Sequence, residues 1–593
     1  MKSEPAPFSR VGWFLPVGLA LYALFCFFSI NKPLTTDEAE IGSAILATAR
    51  TGKPIYYMGD NPDRYWPAKD MWQKQEAPRP EYKYGLWHAP LHVYLTALGV
   101  KLFGAADWVM RLPGVLCFLG TLWLVRGIFR HLFPPDQARH AFGLAALFYL
   151  INPLLIQEGL MLDVDNTVVT FASVLYLHEF LRLEQRPTAW APKYAWLCVI
   201  IALTFWAKEF AGLYVALPAF GYVVLQRRWR EAFGVVASLL VGTALFWVTW
   251  WMFCKMTGLP VMYFIRFTIL GKLAIGEGLL TTMAKQSGWL NAWFTVWFSV
   301  FVTMVWVSPY YLVAFLGLSA WRVREFLRAH TVRPLDLLWL FCLVIFGVTH
   351  VYRPSGWFLK YEYPGVAVLV IMFGALVFET FKDLPAPRWI AGGLLALAMG
   401  AAQVAVLDDP VFKLFNGGLK GLGDTTLWGF YAVAFIALFA VVKLANRSWP
   451  WLRAGTGALA IAILGANLSV NLKQLSPYVT SISWNNYGES GFAETADYLR
   501  QTLRPDDVPI CRKDFGYYLY RDSESMYRRW INPVVITDMK SGDELVANIT
   551  APGVTCIVLD RYCMRRDTIP IIQQLYVVEK QIGSFYVLRR RDR

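Results

Sequence analysis

The chain has 593 residues, of which 56% are hydrophobic and only 17% are charged, and its formal net charge is +14. A soluble protein carries about a quarter charged residues, so this composition excludes an ordinary soluble globular protein. Repeated apolar runs of roughly 17–25 residues are each long enough to cross a hydrocarbon core of about 30 Å. The sequence therefore predicts a polytopic α-helical membrane protein.

The apolar runs predict about thirteen transmembrane helices. They lie near residues 13–30, 108–125, 141–157, 166–181, 194–207, 210–226, 233–253, 291–318, 335–350, 362–380, 389–407, 427–445 and 454–472. The first run, Val11–Ile30, is too long for a signal-peptide core, and no small-residue cleavage site follows it. We therefore interpret it as a retained first span.

The positive charge is concentrated in short loops between these spans, which argues against a nucleic-acid partner. Short basic loops mark the cytoplasmic side of a membrane protein. The basic residues are Arg126, Arg130, Arg139, Arg182, Arg186, Lys193, Arg227, Arg228, Arg230, Arg322, Arg324, Arg328 and Arg333. We expect a cytoplasmic N-terminus, a C-terminal region outside the cytoplasmic (inner) membrane, and anionic lipid headgroups near the basic loops.

The predicted loop between the first two spans, residues 31–107, is rich in charged and aromatic residues and is too long for a plain linker. Two interfacial helices are predicted in it, from helical stripes of apolar residues. The first stripe comprises Ile41, Ile45, Leu46 and Ala49, and the second comprises Leu91, Tyr94, Leu95, Leu98 and Leu102. The predicted external loop is therefore a candidate functional region.

Residues 473–593 lack long apolar runs, so we divide the chain into a membrane domain, 1–472, and a small extracytoplasmic α/β domain, 473–593. The pattern predicts a helix around Gly491–Leu503 followed by four strands, and Lys580–Gly583 is predicted to join the last two strands in a hairpin. The predicted strands are Pro533–Thr537, Cys556–Asp560, Leu575–Glu579 and Ser584–Leu588. A disulfide among Cys511, Cys556 and Cys563 is left open.

Two acidic residues, Asp37 and Glu38, follow the first span directly. Thr35-x-x-Glu38 fits a capping box, in which Glu38 reaches back to the start of a helix. Such a box explains Glu38 without catalysis, but it needs only one acid and leaves Asp37 unexplained. Both are candidate catalytic residues.

A second pair of acids, Asp163 and Asp165, lies between two spans on the same predicted side. Asp165 could cap the following helix, whereas two acids at this spacing also suit a hydroxylated substrate or a cation. Three cations, Lys208, Arg353 and Lys360, lie at the predicted outer ends of spans. Their side chains either extend to the membrane interface or form a basic pocket for a lipid phosphate.

His88 and His92 have the spacing of metal ligands on one helix face. Pro90 lies between them and makes a regular turn there doubtful. Polar packing at the interface is the alternative for His92, and no metal is assigned from the sequence.

These motifs resemble those of the GT-C glycosyltransferases, in the branch of the protein O-mannosyltransferases and the bacterial lipid A aminoarabinose transferases. Asp37-Glu38 resembles the Asp-Glu motif of the family, and the resemblance spans roughly residues 11–380. The further matching segments are His88–Tyr94, Arg111–Pro113, Asp165–Phe171, Ala207–Glu209 and Lys360–Pro364. This sequence departs from the family pattern at Ala89, at Glu209 and in the longer, more charged insert 52–84.

The resemblance implies transfer of a sugar from a polyprenyl-phosphate donor on the outer membrane face. Asp37 would act as general base in one inverting displacement, with Glu38 and Asp165 as further catalytic candidates. Lys208, Arg353, Lys360 or a divalent metal ion would stabilise the leaving phosphate, and His88 and Asp163 would contact substrate. The acceptor, whether lipid, glycan or protein, is left open. A lipid or lipid-linked sugar transporter and a non-catalytic glycan-binding protein are the competing hypotheses.

Overall fold

The computed structural model describes residues 12–35, 37–57, 82–86, 88–163, 167–185, 189–265, 288, 309–351, 363–407, 425–474, 490–521, 530–533, 536, 541–560 and 568–592. Most of these residues are helical. The helices are Phe14–Ser29, Asp37–Thr51, Leu91–Phe103, Asp107–Leu132, Pro135–Leu150, Pro153–Leu160, Thr167–Gln185, Trp190–Ala207, Ala211–Leu225, Trp229–Thr257, Val261–Tyr263, Pro309–Ala329, Pro334–Val351, Tyr363–Phe381, Ala386–Leu407, Thr425–Ala445, Trp451–Gln474, Phe492–Thr502, Lys513–Arg521, Gly542–Ile549 and Ile569–Leu575.

The apolar helices confirm a multi-pass membrane protein. Within the described residues, seven helices are long and apolar enough to cross a membrane, and a bent pair would make an eighth span. Each of the thirteen predicted spans overlaps a helix, although most of the predicted segment 291–318 lies outside the described residues. The number of spans and the side on which each terminus lies stay predictions.

The predicted span at 141–157 is not one straight helix. It consists of Pro135–Leu150 and Pro153–Leu160, which meet at an angle of 71°. Pro153 cannot donate a backbone hydrogen bond to the preceding turn, and Asn152 caps the second helix by accepting from the amides of Leu154 and Leu155. The bend directs the end of the second helix toward the segment that follows the first span.

The short apolar helix (Leu91–Phe103) has two different faces. Leu95, Leu98 and Leu102 are exposed, whereas His92 and Ala97 are buried. A helix of 13 residues is only about 20 Å long, which is too short to cross a bilayer. These dimensions and its exposed leucines fit the predicted position along the membrane surface.

The C-terminal segment contains a four-stranded sheet in the order β3-β4-β6-β5. Its strands are β3 (Val508–Ile510), β4 (Val554–Leu559), β5 (Tyr576–Ile582) and β6 (Phe585–Arg590), and a separate pair is formed by β1 (Ile55–Tyr57) and β2 (Tyr82–Tyr84). Strands β3 and β4 are parallel, and the other pairs in the larger sheet are antiparallel. The domain boundary at residue 473 stays a prediction.

Of three local expectations for this segment, the position of the hairpin turn needs correction, and the other two are only partly covered by the described residues. Of the predicted strand Pro533–Thr537, only Pro533 and Ile536 lie within the described residues, and there Pro533 is in a turn and Ile536 is helical. The hairpin turn lies at Gly583 and Ser584, because β5 continues to Ile582. Cys511 and Cys556 are both free thiols, so they form no disulfide with each other, and Cys563 lies outside the described residues.

A hydrophobic cluster joins the acidic helix (Asp37–Thr51) and the short apolar helix to the C-terminal segment. Its members include Leu34, Ala39, Ile45, Val93, Ala97, Phe492, Leu499, Phe515, Tyr517 and Tyr518. The contact is close at Gly42, where an added Cβ would lie 2.9 Å from a ring carbon of Tyr517. The C-terminal segment therefore packs directly on the helix that carries the first acidic motif.

Candidate active site

Five of the eight predicted site residues lie in the described part of the chain: Asp37, Glu38, His88, Asp163 and Lys208. Asp165, Arg353 and Lys360 lie outside the described residues, so their predicted roles stay predictions.

Glu38 is a buried residue at the start of the acidic helix, and it is 1% exposed. Its Oε1 accepts hydrogen bonds from Arg111 Nη2 at 3.1 Å and from the amide of Leu162 at 3.0 Å. Its Oε2 accepts from the amide of Thr35 at 3.4 Å, which is the bond that a capping box requires of this position. Glu38 therefore has a structural role whether or not it also takes part in chemistry.

Arg111 connects three segments around this carboxylate. Its fully buried guanidinium donates to the carbonyl oxygens of Leu160 at 2.8 Å and Lys32 at 2.6 Å, as well as to Glu38. Burial raises the pKa of the Glu38 carboxyl, and Arg111 and the two backbone amides oppose that rise. The ion pair therefore fixes the end of the first span, the start of the acidic helix and the segment after the bent helix pair.

Asp37 differs sharply from its neighbour. Its side chain is 47% exposed, and Lys513 Nζ lies 3.3 Å from its Oδ1. The same ammonium lies 2.8 Å from Oε2 of Glu40, one turn further along the helix. A carboxylate in the first turn is also favoured by the helix dipole. Asp37 is thus an accessible carboxylate, which is the property that a group exchanging protons with substrate needs.

Asp163 lies next to the Glu38 contact, one residue after Leu162. It is 2% exposed, and its amide donates to the carbonyl oxygen of Met161. Burial lowers the pKa of His92 to about 4, against the opposing attraction of the Asp163 charge. The fold therefore brings Asp163 into electrostatic reach of His92 and places both close to the base of the acidic helix.

His88 contacts a different acidic residue. Its Nδ1 lies 3.1 Å from both carboxylate oxygens of Glu209, which is buried beside Lys208 in the turn between two spans. The short apolar helix begins at Leu91, so His88 precedes it and does not share a helix face with His92. The two histidines are therefore not arranged as metal ligands on one helix face, in line with the doubt that Pro90 raised about a regular turn between them. Glu209, where the sequence departs from the family pattern, anchors His88.

The described residues contain no group of three or more His, Cys, Asp or Glu side chains arranged to hold a metal ion. Lys208 is buried at the end of the helix Trp190–Ala207. A further cation near the site is Lys32, whose pKa is lowered to about 8 by burial and by Arg111. Perturbed cations of this kind are frequent in functional sites.

Sequence reasoning missed Lys513 as a site residue. It lies 476 positions from Asp37, in a segment where the local pattern shows only a short amphipathic helix. Arg111 was signalled only as part of the Arg111-Leu112-Pro113 motif, and its buried contacts with carbonyl oxygens have no sequence signature.

Comparisons with known proteins agree with this architecture. Residues 87–253 match the family model of the dolichyl-phosphate-mannose-protein mannosyltransferases. A search of the curated proteins gave no match. The family match covers the short apolar helix, His88, Asp163 and Lys208, and it ends within the long helix Trp229–Thr257.

Among solved structures, the chain is similar to ArnT from Cupriavidus metallidurans bound to undecaprenyl phosphate, with a TM-score of 0.55, 17% identity and 98% coverage of both chains. The apo state of that protein gives a TM-score of 0.53 at 16% identity, again with 98% of both chains covered. At these identities the likeness establishes the fold. The chain therefore has the fold of the GT-C glycosyltransferases, and its resemblance to the branch of the O-mannosyltransferases and aminoarabinose transferases is confirmed.

Proposed function

We propose that this protein is an inverting glycosyltransferase of the cytoplasmic membrane. It moves a sugar from a polyprenyl-phosphate donor to a lipid, glycan or protein acceptor on the outer membrane face. The observation that carries the proposal is the half-exposed carboxylate of Asp37 in the first turn of the acidic helix.

The two adjacent acids have different surroundings, which support different roles. Glu38 is buried, and three donors already satisfy its oxygens. Asp37 remains accessible to a bound acceptor and can take the proton from its hydroxyl group. A positioned general base of this kind contributes typically 10²–10⁴ to a rate. We therefore assign Asp37 as the base and Glu38 as the residue that holds the helix in place.

The remaining predicted residues take supporting roles. Asp165 keeps its proposed catalytic role beside Asp37, and Asp163 and His88 contact the sugar or acceptor. Lys208, Arg353 and Lys360 bind the donor phosphate, where a cation stabilises the charge that develops on the leaving group. Binding of undecaprenyl phosphate by the C. metallidurans relative supports a polyprenyl-phosphate carrier.

The proposal is tested by a transfer assay with the purified protein in detergent and a radiolabelled polyprenyl-phosphate sugar. We compare the wild type with Asp37→Asn and with the control Asp136→Asn. Asp136 is also an acid in the first turn of a helix, but it is exposed at the opposite end of a span. Asn keeps the size of Asp and caps a helix about as well, so neither substitution is expected to lower the melting temperature.

We expect Asp37→Asn to reduce turnover by about 10²–10⁴ and to keep donor affinity, because only the proton acceptor is lost. The Asp136→Asn control should retain wild-type turnover. Normal turnover in Asp37→Asn would remove Asp37 as base. If the wild-type protein, placed in lipid vesicles, moves intact donor across the membrane without breaking the sugar–phosphate bond, the protein is a transporter and the proposal is refuted.

A further inference from the structure

We propose that Lys513 is a positioning residue for Asp37, so that the active site is complete only when the C-terminal segment is docked. This inference rests on the proposed function in one respect: it takes Asp37 as the base. It adds a residue from the other end of the chain and assigns the C-terminal segment a part in catalysis.

The first observation is the position of one ammonium between two carboxylates. Lys513 Nζ lies 3.3 Å from Asp37 Oδ1 and 2.8 Å from Glu40 Oε2. The side chains of Lys513 and Glu40 are 17% and 12% exposed, so this cation is largely withdrawn from solvent. Such a cation attracts an adjacent carboxylate more strongly than one on the open surface, where solvent and salt screen the interaction.

The second observation is that Lys513 belongs to a firmly held helix. This docking helix (Lys513–Arg521) presents Tyr518, whose hydroxyl group accepts from the amide of Leu34 at 2.8 Å and donates to Asp107 Oδ2 at 3.1 Å. Arg521 pairs with the other oxygen of Asp107 at 3.2 Å. These contacts tie the docking helix to the segment before the acidic helix and to the start of the helix Asp107–Leu132, which keeps the Lys513 ammonium beside Asp37.

Other charged groups near the acidic helix take part in different contacts. Arg111 pairs with Glu38, Arg521 with Asp107, and Arg512 with Asp514 and Asp560; Arg50 donates to the carbonyl oxygen of Arg521. The elements packed against the acidic helix also carry His92, Lys101, Lys53 and Asp163. Lys513 is the cation of the docking helix at ion-pair distance from Asp37.

Lys513 and Glu40 have opposite effects on the protonation of Asp37. The ammonium favours the ionised form of Asp37, which is the form that can accept a proton. Glu40 competes for the same ammonium and adds a negative charge close to Asp37. Removing Lys513 should therefore raise the pH at which Asp37 becomes protonated, whereas removing the charge of Glu40 should lower it.

The experiment measures this protonation midpoint in two independent ways on the full-length protein. The first is the acidic limb of the turnover–pH profile. The second is esterification of Asp37 by a diazo reagent, which modifies protonated carboxylic acids, located by peptide mass spectrometry. Three variants are compared. Lys513→Met keeps a long side chain but removes its charge, Lys513→Arg keeps a positive charge, and Glu40→Gln removes the negative charge of Glu40.

We expect Lys513→Met to raise both midpoints by about 0.5–1 pH unit, which is the lower end of the effect of an adjacent charge because Asp37 is half exposed. Lys513→Arg should return the midpoint close to that of the wild type, and Glu40→Gln should shift it downward. If Lys513→Met prevents docking, which a lower melting temperature would reveal, the other two variants still carry the test.

Unchanged midpoints in Lys513→Met and Glu40→Gln, in proteins that melt like the wild type, would overturn the inference. So would a loss of turnover in Lys513→Met that is uniform across pH, because that result indicates only a structural contact. A third outcome separates the two proposals. If neither the wild type nor the variants transfer sugar, but the esterification midpoint of Asp37 still differs between them as expected, the Lys513–Asp37 coupling stands and the proposed function is refuted.

Discussion

Adjacent acids in this site should respond in opposite ways to substitution, and Glu38 provides the sharper test. Glu38→Ala leaves the guanidinium of Arg111, which is 0% exposed, without its carboxylate partner. Removing one partner of a buried ion pair destabilises a protein by about 3–5 kcal/mol. The pair between Asp37 and Lys513 is partly exposed, and such pairs contribute only about 0.2–1 kcal/mol. Asp37→Ala should therefore melt close to the wild type, whereas Glu38→Ala should melt at a clearly lower temperature.

The assay pairs the melting temperature of each purified variant in detergent with its turnover. We expect Glu38→Ala to lose both turnover and stability. Asp37→Ala should lose turnover while its melting temperature stays close to that of the wild type. Glu38→Gln retains an acceptor for Arg111 and should lie between Glu38→Ala and the wild type in stability. The double variant Glu38→Leu with Arg111→Met should recover only part of the stability. It leaves no unpaired buried charge, but the carbonyl oxygens of Leu160 and Lys32 lose their bonds from Arg111. A Glu38→Gln protein with wild-type melting and no turnover would show that Glu38 acts in the chemistry, and would refute the division of roles.

Three further outcomes are expected. Lys208→Ala should remove a charge-assisted bond of roughly 1.5–3 kcal/mol and weaken donor binding about tenfold or more, and unchanged affinity in a binding titration would place the phosphate elsewhere. In a protein lacking its eight native cysteines, Asn485→Cys should react with an impermeant thiol reagent added outside the cell and Arg230→Cys should not; the reverse pattern would invert the topology. Asn152→Ala removes an N-cap and a bond to Tyr311, so it should lower the free energy of unfolding by about 0.5–2 kcal/mol, and equal melting of the two proteins would contradict this role.

Local patterns were sufficient to predict the helices. A run of about 20 apolar residues has few alternatives in a membrane, because every backbone group must be paired within the helix. The stripe that includes Leu95 and Leu98 likewise predicted a short helix, since one periodic face suffices for such a prediction. The capping box at Thr35 and Glu38 was readable for the same reason: its two residues are three positions apart.

Features that depend on distant partners could not be predicted in this way. The break between Ile151 and Pro153 depends in part on Asn471, which donates to the carbonyl oxygen of Ile151 from 320 positions away. Strand β3 is only three residues long and contains Pro509, so its neighbour β4 defines it more than its own sequence does. The Lys513 contact is of the same kind.

Docking of the C-terminal segment also sets an order of events during biosynthesis. Lys513 leaves the ribosome 476 residues after Asp37, and at roughly 5–20 residues per second this takes about 24–95 s. During that interval the acidic helix has neither its neighbouring cation nor the aromatic cover of Phe515 and Tyr517. A chain interrupted before residue 513 therefore keeps an apolar surface for chaperones and proteases to recognise, and only a completed chain acquires the paired Asp37.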